Sequence, residues 1–474
     1  MKQRVILIPI VLAALVHLWN TGGFPPLHPD ESAYMIKTMR VLAGYGPQNN
    51  KPLALDQLYN HPHFGQLFLA GTLAMTGYPT LLDLKPSELS IASLYAVPRF
   101  IMGLLVVLDT FIIYHIAKRR FDIGVALVAS SLFAVMPATL VLRHIFLDNI
   151  MLPFILSSVL FALYVKIDKL NNHLILLSGI FLGLAIYTKI PAFTMIPLVG
   201  FLIFVNSKRI KSLALWFVPV ILIPCLWPAY ALSAGQFNLW IDGITAQANR
   251  QGEPDSSLLD SFKNIFNLDP VFLVIGFAGV VYAAARKEYW LILWVIPLLI
   301  FGYFIGWVIY YHFVPIFPAL CISAALLIMR EFKFRLWRRL ILTALISAII
   351  CFGLVVSILL ISLDVNSYQF KTQAVVVDSL SNNNTVFVGR QVYSWIPRYI
   401  FHISFDVFPK DSLPVEWNES KILFVDNGLA NDTKLRDATK LILGFKKPKM
   451  PDHYPYTSIT FSRSIWKKVD VRAN

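Results

Sequence analysis

Over most of this chain apolar residues do not alternate with polar ones. They come in nearly unbroken runs of about 20 residues, from Ile6 to Ser362, separated by short polar breaks. A helix of that length crosses about 30 Å of hydrocarbon and satisfies its own backbone groups. A spanning β-barrel needs period-two alternation, which these runs lack. The pattern therefore predicts an all-α polytopic membrane protein. After Asp364 the pattern changes. "TVFVG" and "KILFVDN" read as short buried strands, "KTQAVVVDSL" as a helix and "SITFSRSIWKKVDV" as a terminal strand pair. The expected organisation is a transmembrane domain over residues 1–363 and a small C-terminal α/β domain over 364–474.

Charge orients the runs. Basic residues punctuate them as "KRR" 118–120, "KIDK" 166–169, "SKRIK" 207–211, "RK" 286–287 and "REFKFRLWRR" 330–339. Placing these in the cytoplasm follows the positive-inside rule, and two clusters on one side must be separated by an even number of spans. Two spans fit between Arg120 and Lys166, with "RHIFLDN" at the far tip. Two more fit between Lys169 and Lys208, turning at "TKIP", where Pro191 disfavours helix. Pairs between Lys211 and Arg286 and between Lys287 and Arg330, the first helix, one near 97–117 and a last span near 340–362 bring the expected total to about eleven. The first outer loop is then residues 21–95, and a second long outer loop covers 233–268. "HPHFGQLFLAGTLAMTG" 61–77 is apolar enough to cross, but crossing would put "KRR" outside, so it is expected to lie in the interface or re-enter. The C-terminal domain falls on the extracytoplasmic side, where sequons at Asn383, Asn418 and Asn431 are compatible with it.

Composition agrees. The chain has 474 residues, 57% of them hydrophobic and 14% charged, against about 25% charged in soluble domains. Its net charge of +14 resides in the cytoplasmic clusters, so no nucleic-acid partner is expected. Cys225, Cys321 and Cys351 all lie in apolar runs and write neither a disulfide framework nor a metal motif. The segment "MKQRVILIPIVLAALVHLW" is followed by no convincing small-residue cleavage site and is read as the first transmembrane helix. A multi-pass integral protein of the cell membrane is the resulting expectation.

With this topology, four polar groups face one compartment at the outer leaflet: Asp30 and Glu31, the "RHIFLD" tip with Arg143, Lys189, and Tyr310–Tyr311–His312. Ionisable groups at membrane depth are costly and usually functional. Each has a structural alternative. Asp30 and Glu31 could cap the helix beginning at "ESAYMIKTMRVL". Arg143 could anchor to lipid phosphate and pair with Asp148, and Lys189 could snorkel from a helix end. His61 and His63 could be turn residues beside Pro62, and the tyrosines could belong to the interfacial aromatic belt.

The order "HPDESAY", "HPHFGQLF", "VPRF", "LRHIFLDNIML", "SGIFLGLAIYTKIPAF" resembles the GT-C glycosyltransferases of the protein O-mannosyltransferase type, over roughly residues 1–330. Lipid A aminoarabinose transferases share the general plan. The family's "HPPLGK" is "HPHFGQ" here, with His63 for a proline and Gln66 for the lysine, so any phosphate role of that lysine is lost or moved. No β-trefoil insertion interrupts 233–268, and the oligosaccharyltransferase signature "WWDYG" is missing; "LWPAY" 226–230 is no substitute. The small C-terminal domain suits prokaryotic relatives.

The resemblance implies transfer of a sugar, mannose by the family's name, from a polyprenyl-phosphate carrier to an acceptor hydroxyl on a protein, lipid or glycan at the extracytoplasmic face. It implies inverting displacement with Asp30 as general base. Glu31 would orient the acceptor or Asp30, and the two acids would be the ligands of a divalent metal if one is used; no other cofactor is implied. Arg143 and Lys189, with Arg99 and His61, would bind the carrier's phosphate, and Tyr311 and His312 would line its pocket. Two rival readings use the same residues. A transporter or flippase of lipid-linked sugars predicts internal repeats and mid-span polar groups, which the sequence does not display. A non-catalytic scaffold predicts that Asp30 and Glu31 are dispensable.

Overall fold

The computed structural model describes residues 4–48, 59–166, 171–250, 257–331, 336–380, 385–389, 395–403, 421–425, 441–442 and 472–473. The expected strand pair 458–471 and the three sequon asparagines lie outside them. The helices run in chain order: α1 Leu7–Leu18, α2 Pro29–Leu42, α3 Phe64–Met75, α4 Glu88–Arg120, α5 Ile123–Val135, α6 Leu147–Tyr164, α7 Asn172–Thr188 and α8 Ile196–Ser207. They continue as α9 Ile210–Leu222, α10 Leu226–Ser233, α11 Phe237–Ala248, α12 Leu258–Leu268, α13 Pro270–Ala285, α14 Tyr289–Ile305, α15 Phe317–Glu331, α16 Leu336–Ile361 and α17 Ser367–Leu380. Four strands follow: β1 Thr385–Gly389, β2 Lys421–Val425, β3 Leu441–Ile442 and β4 Arg472–Ala473.

Every apolar run read as a span is helical, but the expected eleven spans are not reproduced by length. Among the described residues six helices are long and apolar enough to cross a membrane, or up to eight if two bent pairs each count as one span. The reason is local. The pairs Ile123–Val135 with Pro137–Arg143 and Leu258–Leu268 with Pro270–Ala285 are bent by 64° and 117°, and two further runs break at Thr188 and Ile305. The helices Asn172–Thr188 and Tyr289–Ile305 therefore stop at 17 residues. The helix expected to turn at "TKIP" does end there: α7 stops at Thr188 and Lys189 is extended, with φ −153° and ψ 128°. In the ambiguous stretch 61–77, α3 has 12 residues. At 1.5 Å per residue that is about 18 Å, short of the hydrocarbon thickness. The stretch 233–268, expected as an outer loop, is helical over α11 and α12 among its described residues.

The chain forms two compact units, and the division cuts α4 between Arg99 and Phe100. The first comprises residues 1–19, 59–65 and 100–361. Its helices approach closely where side chains are small, as expected without a hydrophobic force between helices in lipid. In the "SGIFLGL" stretch, Gly179 and Gly183 lie against the backbone of α9. A Cβ on Gly183 would come within 2.6 Å of the Pro219 carbonyl, so the spacing Gly-x-x-x-Gly is a packing requirement here. Ser158 of α6 and Ser178 of α7 exchange bonds, each hydroxyl donating to the other's carbonyl at 2.7 and 2.9 Å. The buried carboxylate of Asp269 accepts the Phe272 N–H at 3.0 Å, capping α13, and the Ala138 N–H at 3.2 Å. It thereby anchors the 3-10 turn that ends in Arg143.

The second unit comprises residues 20–58, 66–99 and 362–474. The segments "TVFVG" and "KILFV" are strands, paired parallel in register from Thr385 opposite Lys421 to Gly389 opposite Val425. β3 adds parallel to β2 and β4 antiparallel to β3. α17 covers the stretch expected to be helical. Its Phe370 stacks on Tyr95 at 5.5 Å between ring centroids.

Candidate functional site

Each unit carries one constellation of the residues singled out above. In the second unit it is built at the start of α2. His28, in extended backbone, is the N-cap: its Nδ1 accepts the Asp30 N–H at 3.2 Å. Glu31, three residues on, accepts the His28 N–H at 3.0 Å, completing a reciprocal cap. The capping role open to the acidic pair thus falls to Glu31, with His28 at the cap position itself. Asp30 sits in the first turn, half-buried, where a carboxylate is favoured by the helix dipole.

Glu31 is completely buried, and so is its partner Arg99. Arg99 Nε donates to Oε1 at 2.8 Å and Nη2 to Oε2 at 2.6 Å, a bidentate fork. Nη1 donates to the Pro25 carbonyl at 2.8 Å and more distantly to Thr21 at 3.4 Å. Both Glu31 oxygens are therefore occupied by a cation and an amide. Such a donor set does not fit a metal ion, and no group of three or more His, Cys, Asp or Glu among the described residues does.

The first unit holds the other constellation. Lys189, buried at the C-terminus of α7, donates from Nζ to Asp148 Oδ2 at 2.6 Å, and the ammonium lies over the Tyr311 ring, 5.2 Å from its centroid. Tyr311 packs on Phe146 at 4.5 Å and on His312 at 4.8 Å. His312 Nδ1 accepts the Ile309 N–H at 3.2 Å, which fixes the ring. An open cleft begins here, lined by Lys189, His61 and His312 together with Leu298, Phe301, Ile305 and Trp307.

Arg143 lies at the end of its 3-10 turn, fully buried, and donates from Nη1 to the Val16 carbonyl at 3.1 Å and from Nη2 to the Trp19 carbonyl at 2.5 Å. It thus also caps the C-terminus of α1, where a cation is favoured. Beside the cleft, His63 is buried against Tyr230 at 5.1 Å, and Tyr59 donates to Gln236 at 2.8 Å. Burial, with Tyr230 nearby, pushes the Tyr59 phenol up to about 12, so the hydroxyl keeps its proton for that bond.

Of the residues expected to act together, Lys189, His61 and His312 share one cleft with Tyr311 behind the lysine, while Glu31 and Arg99 are joined to one another in the other unit. Sequence reasoning missed Trp307 and Gln247 on the cleft wall, and Arg250, whose guanidinium stacks on Trp307 at 4.6 Å. The one available signal was a cation in an outer loop; its aromatic partner is 57 positions away.

Residues 92–230 match the family model described as dolichyl-phosphate-mannose-protein mannosyltransferase. No curated protein sequence matches. Among solved structures, the oligosaccharyltransferase of Archaeoglobus fulgidus, tethered to an acceptor peptide containing the NVT sequon, superposes with a TM-score of 0.54 at 12% identity, covering 90% of this chain and 61% of that one. ArnT from Cupriavidus metallidurans, bound to undecaprenyl phosphate, gives 0.53 at 16% identity, covering 84% and 75%. The archaeal protein AglB, in complex with an inhibitory peptide and a dolichol-phosphate, gives 0.52 at 11% identity, with 90% and 62% covered. This chain thus spans less than two thirds of the length of the archaeal proteins. Residues 92–230 match the mannosyltransferase family's model, in a chain whose fold is similar to those of ArnT and the archaeal oligosaccharyltransferase.

Proposed function

We propose that this chain is a membrane glycosyltransferase that moves a sugar from a polyprenyl-phosphate carrier to an acceptor hydroxyl on the extracytoplasmic face. The observation that carries the reading is the cleft of the first unit, whose lining is mostly apolar and includes Lys189. That combination suits a lipid chain ending in a phosphate. Lys189 makes one hydrogen bond among the described residues, to Asp148, while an ammonium has three donors. Its remaining donors stay available to phosphate oxygens. His61 supplies a further donor, Tyr311 and His312 hold the lysine side of the pocket, and Arg143 adds positive charge to the same unit.

The chemistry is a single displacement. The acceptor's O–H bond breaks as its oxygen bonds to the anomeric carbon, and Asp30 takes the proton. The bond from that carbon to the phosphate oxygen breaks, and the carrier phosphate leaves with the electron pair. A phosphate is already a good leaving group, so it needs cations rather than a general acid. One base and direct attack imply inversion. Arg99, with four of its five donors engaged inside the second unit, is assigned to holding Glu31 and its loop rather than the phosphate.

The full-length chain reconstituted in proteoliposomes with a radiolabelled polyprenyl-phosphate sugar is expected to move label to an acceptor hydroxyl. Label that crosses the bilayer still attached to the carrier would instead indicate a flippase.

A further inference from the structure

We infer that Asn366, at the junction between the last span and the C-terminal region, is a positioning residue for Asp30. The inference rests on Asp30 being the general base. Asn366 is fully buried and immediately precedes α17. Its Nδ2 donates to the carbonyls of Gly22 at 2.9 Å, Gly23 at 3.2 Å and Pro25 at 2.7 Å. Its Oδ1 accepts the Leu27 N–H at 3.1 Å. The neighbouring Val365 N–H donates to Gly23 at 3.0 Å. One amide side chain therefore stitches the loop 22–27 from a point 339 residues distant.

The arithmetic of the loop shows what this achieves. Pro25 and Pro26 have no N–H to offer. The next two amides are Leu27, held by Asn366, and His28, held by Glu31. The Pro25 carbonyl receives both Asn366 and Arg99, so the two clamps meet on one peptide group. Asn366 and the Arg99-held Glu31 together fix both backbone donors between Pro25 and His28, and Asp30 follows two residues later. Asn366 touches no reacting atom; it fixes the origin of the turn that carries the carboxylate. Displacing a catalytic group by about 1 Å costs on the order of a hundredfold in rate.

The test uses the full-length chain, with its three native cysteines replaced by alanine and a spin label at Ala33→Cys, an exposed position in the first turns of α2. Asn366→Ala is expected to make the label mobile and to lower kcat about a hundredfold, with KM for the lipid-linked sugar and affinity for undecaprenyl phosphate unchanged. Should that variant not fold, the isosteric Asn366→Asp keeps the Leu27 bond, loses the Nδ2 donors and is expected to give the same two readouts. A label as immobile as in the parent, or a kcat within twofold of it, overturns the inference. If the parent transfers no sugar, the proposed function fails instead, and the spin-label arm still reads the clamp.

Discussion

The two units each bury an acid against a base, and they leave the base in different conditions. In the second unit Arg99 spends four of its five donors on Glu31 and two carbonyls, and both side chains are wholly removed from solvent. In the first unit Lys189 makes a single hydrogen bond to Asp148, rests on an aromatic face and lines an open cleft. A saturated fork fixes geometry; an unsaturated ammonium beside a cavity can still take a ligand. The lesson is that a buried ion pair becomes scaffold or site according to how many donors remain, and guanidinium and ammonium suit those two fates.

That contrast can be broken by substitution. Arg99→Met strands Glu31 in the interior, and loss of one partner of a buried pair costs about 3–5 kcal/mol. Denaturant unfolding in detergent should show it, and Arg99→Met with Glu31→Leu should restore most of the stability without restoring transfer. Lys189→Met removes a charged donor, worth about 1.5–3 kcal/mol, so affinity for undecaprenyl phosphate should fall roughly 10- to 100-fold. Adding Asp148→Asn should recover stability but not affinity, which separates the lysine's structural bond from its ligand. Trp307→Ala should have the smallest effect. It removes an apolar wall of the cleft and the stacking platform of Arg250, and is expected to weaken binding of the lipid phosphate by about 1 kcal/mol, measured by titration of the same lipid.

What the sequence reveals and hides follows the range of the interactions. Apolar runs are local, and each predicted a helix; Pro191 likewise predicted the break, and α7 ends at Thr188 with Lys189 extended. The strands "TVFVG" and "KILFV" were legible for the same reason. The number of full-length spans was not, because bends and breaks inside apolar runs alter no hydrophobic period. Partners were hidden as well. Nothing near Glu31 names Arg99, 68 positions on, and nothing near Pro25 names Asn366. Lys189 and Asp148 were each singled out, but their bond spans two helices and shows only in the fold.

In the proposed reaction Lys189 binds the carrier phosphate and Asp30 takes the proton. The most direct test of that claim measures two properties of Asp30→Asn in reconstituted vesicles, affinity for undecaprenyl phosphate and transfer from a radiolabelled polyprenyl-phosphate sugar. The expected result is unchanged affinity with transfer abolished. Transfer at the parental rate would contradict the claim, and so would loss of lipid-phosphate binding.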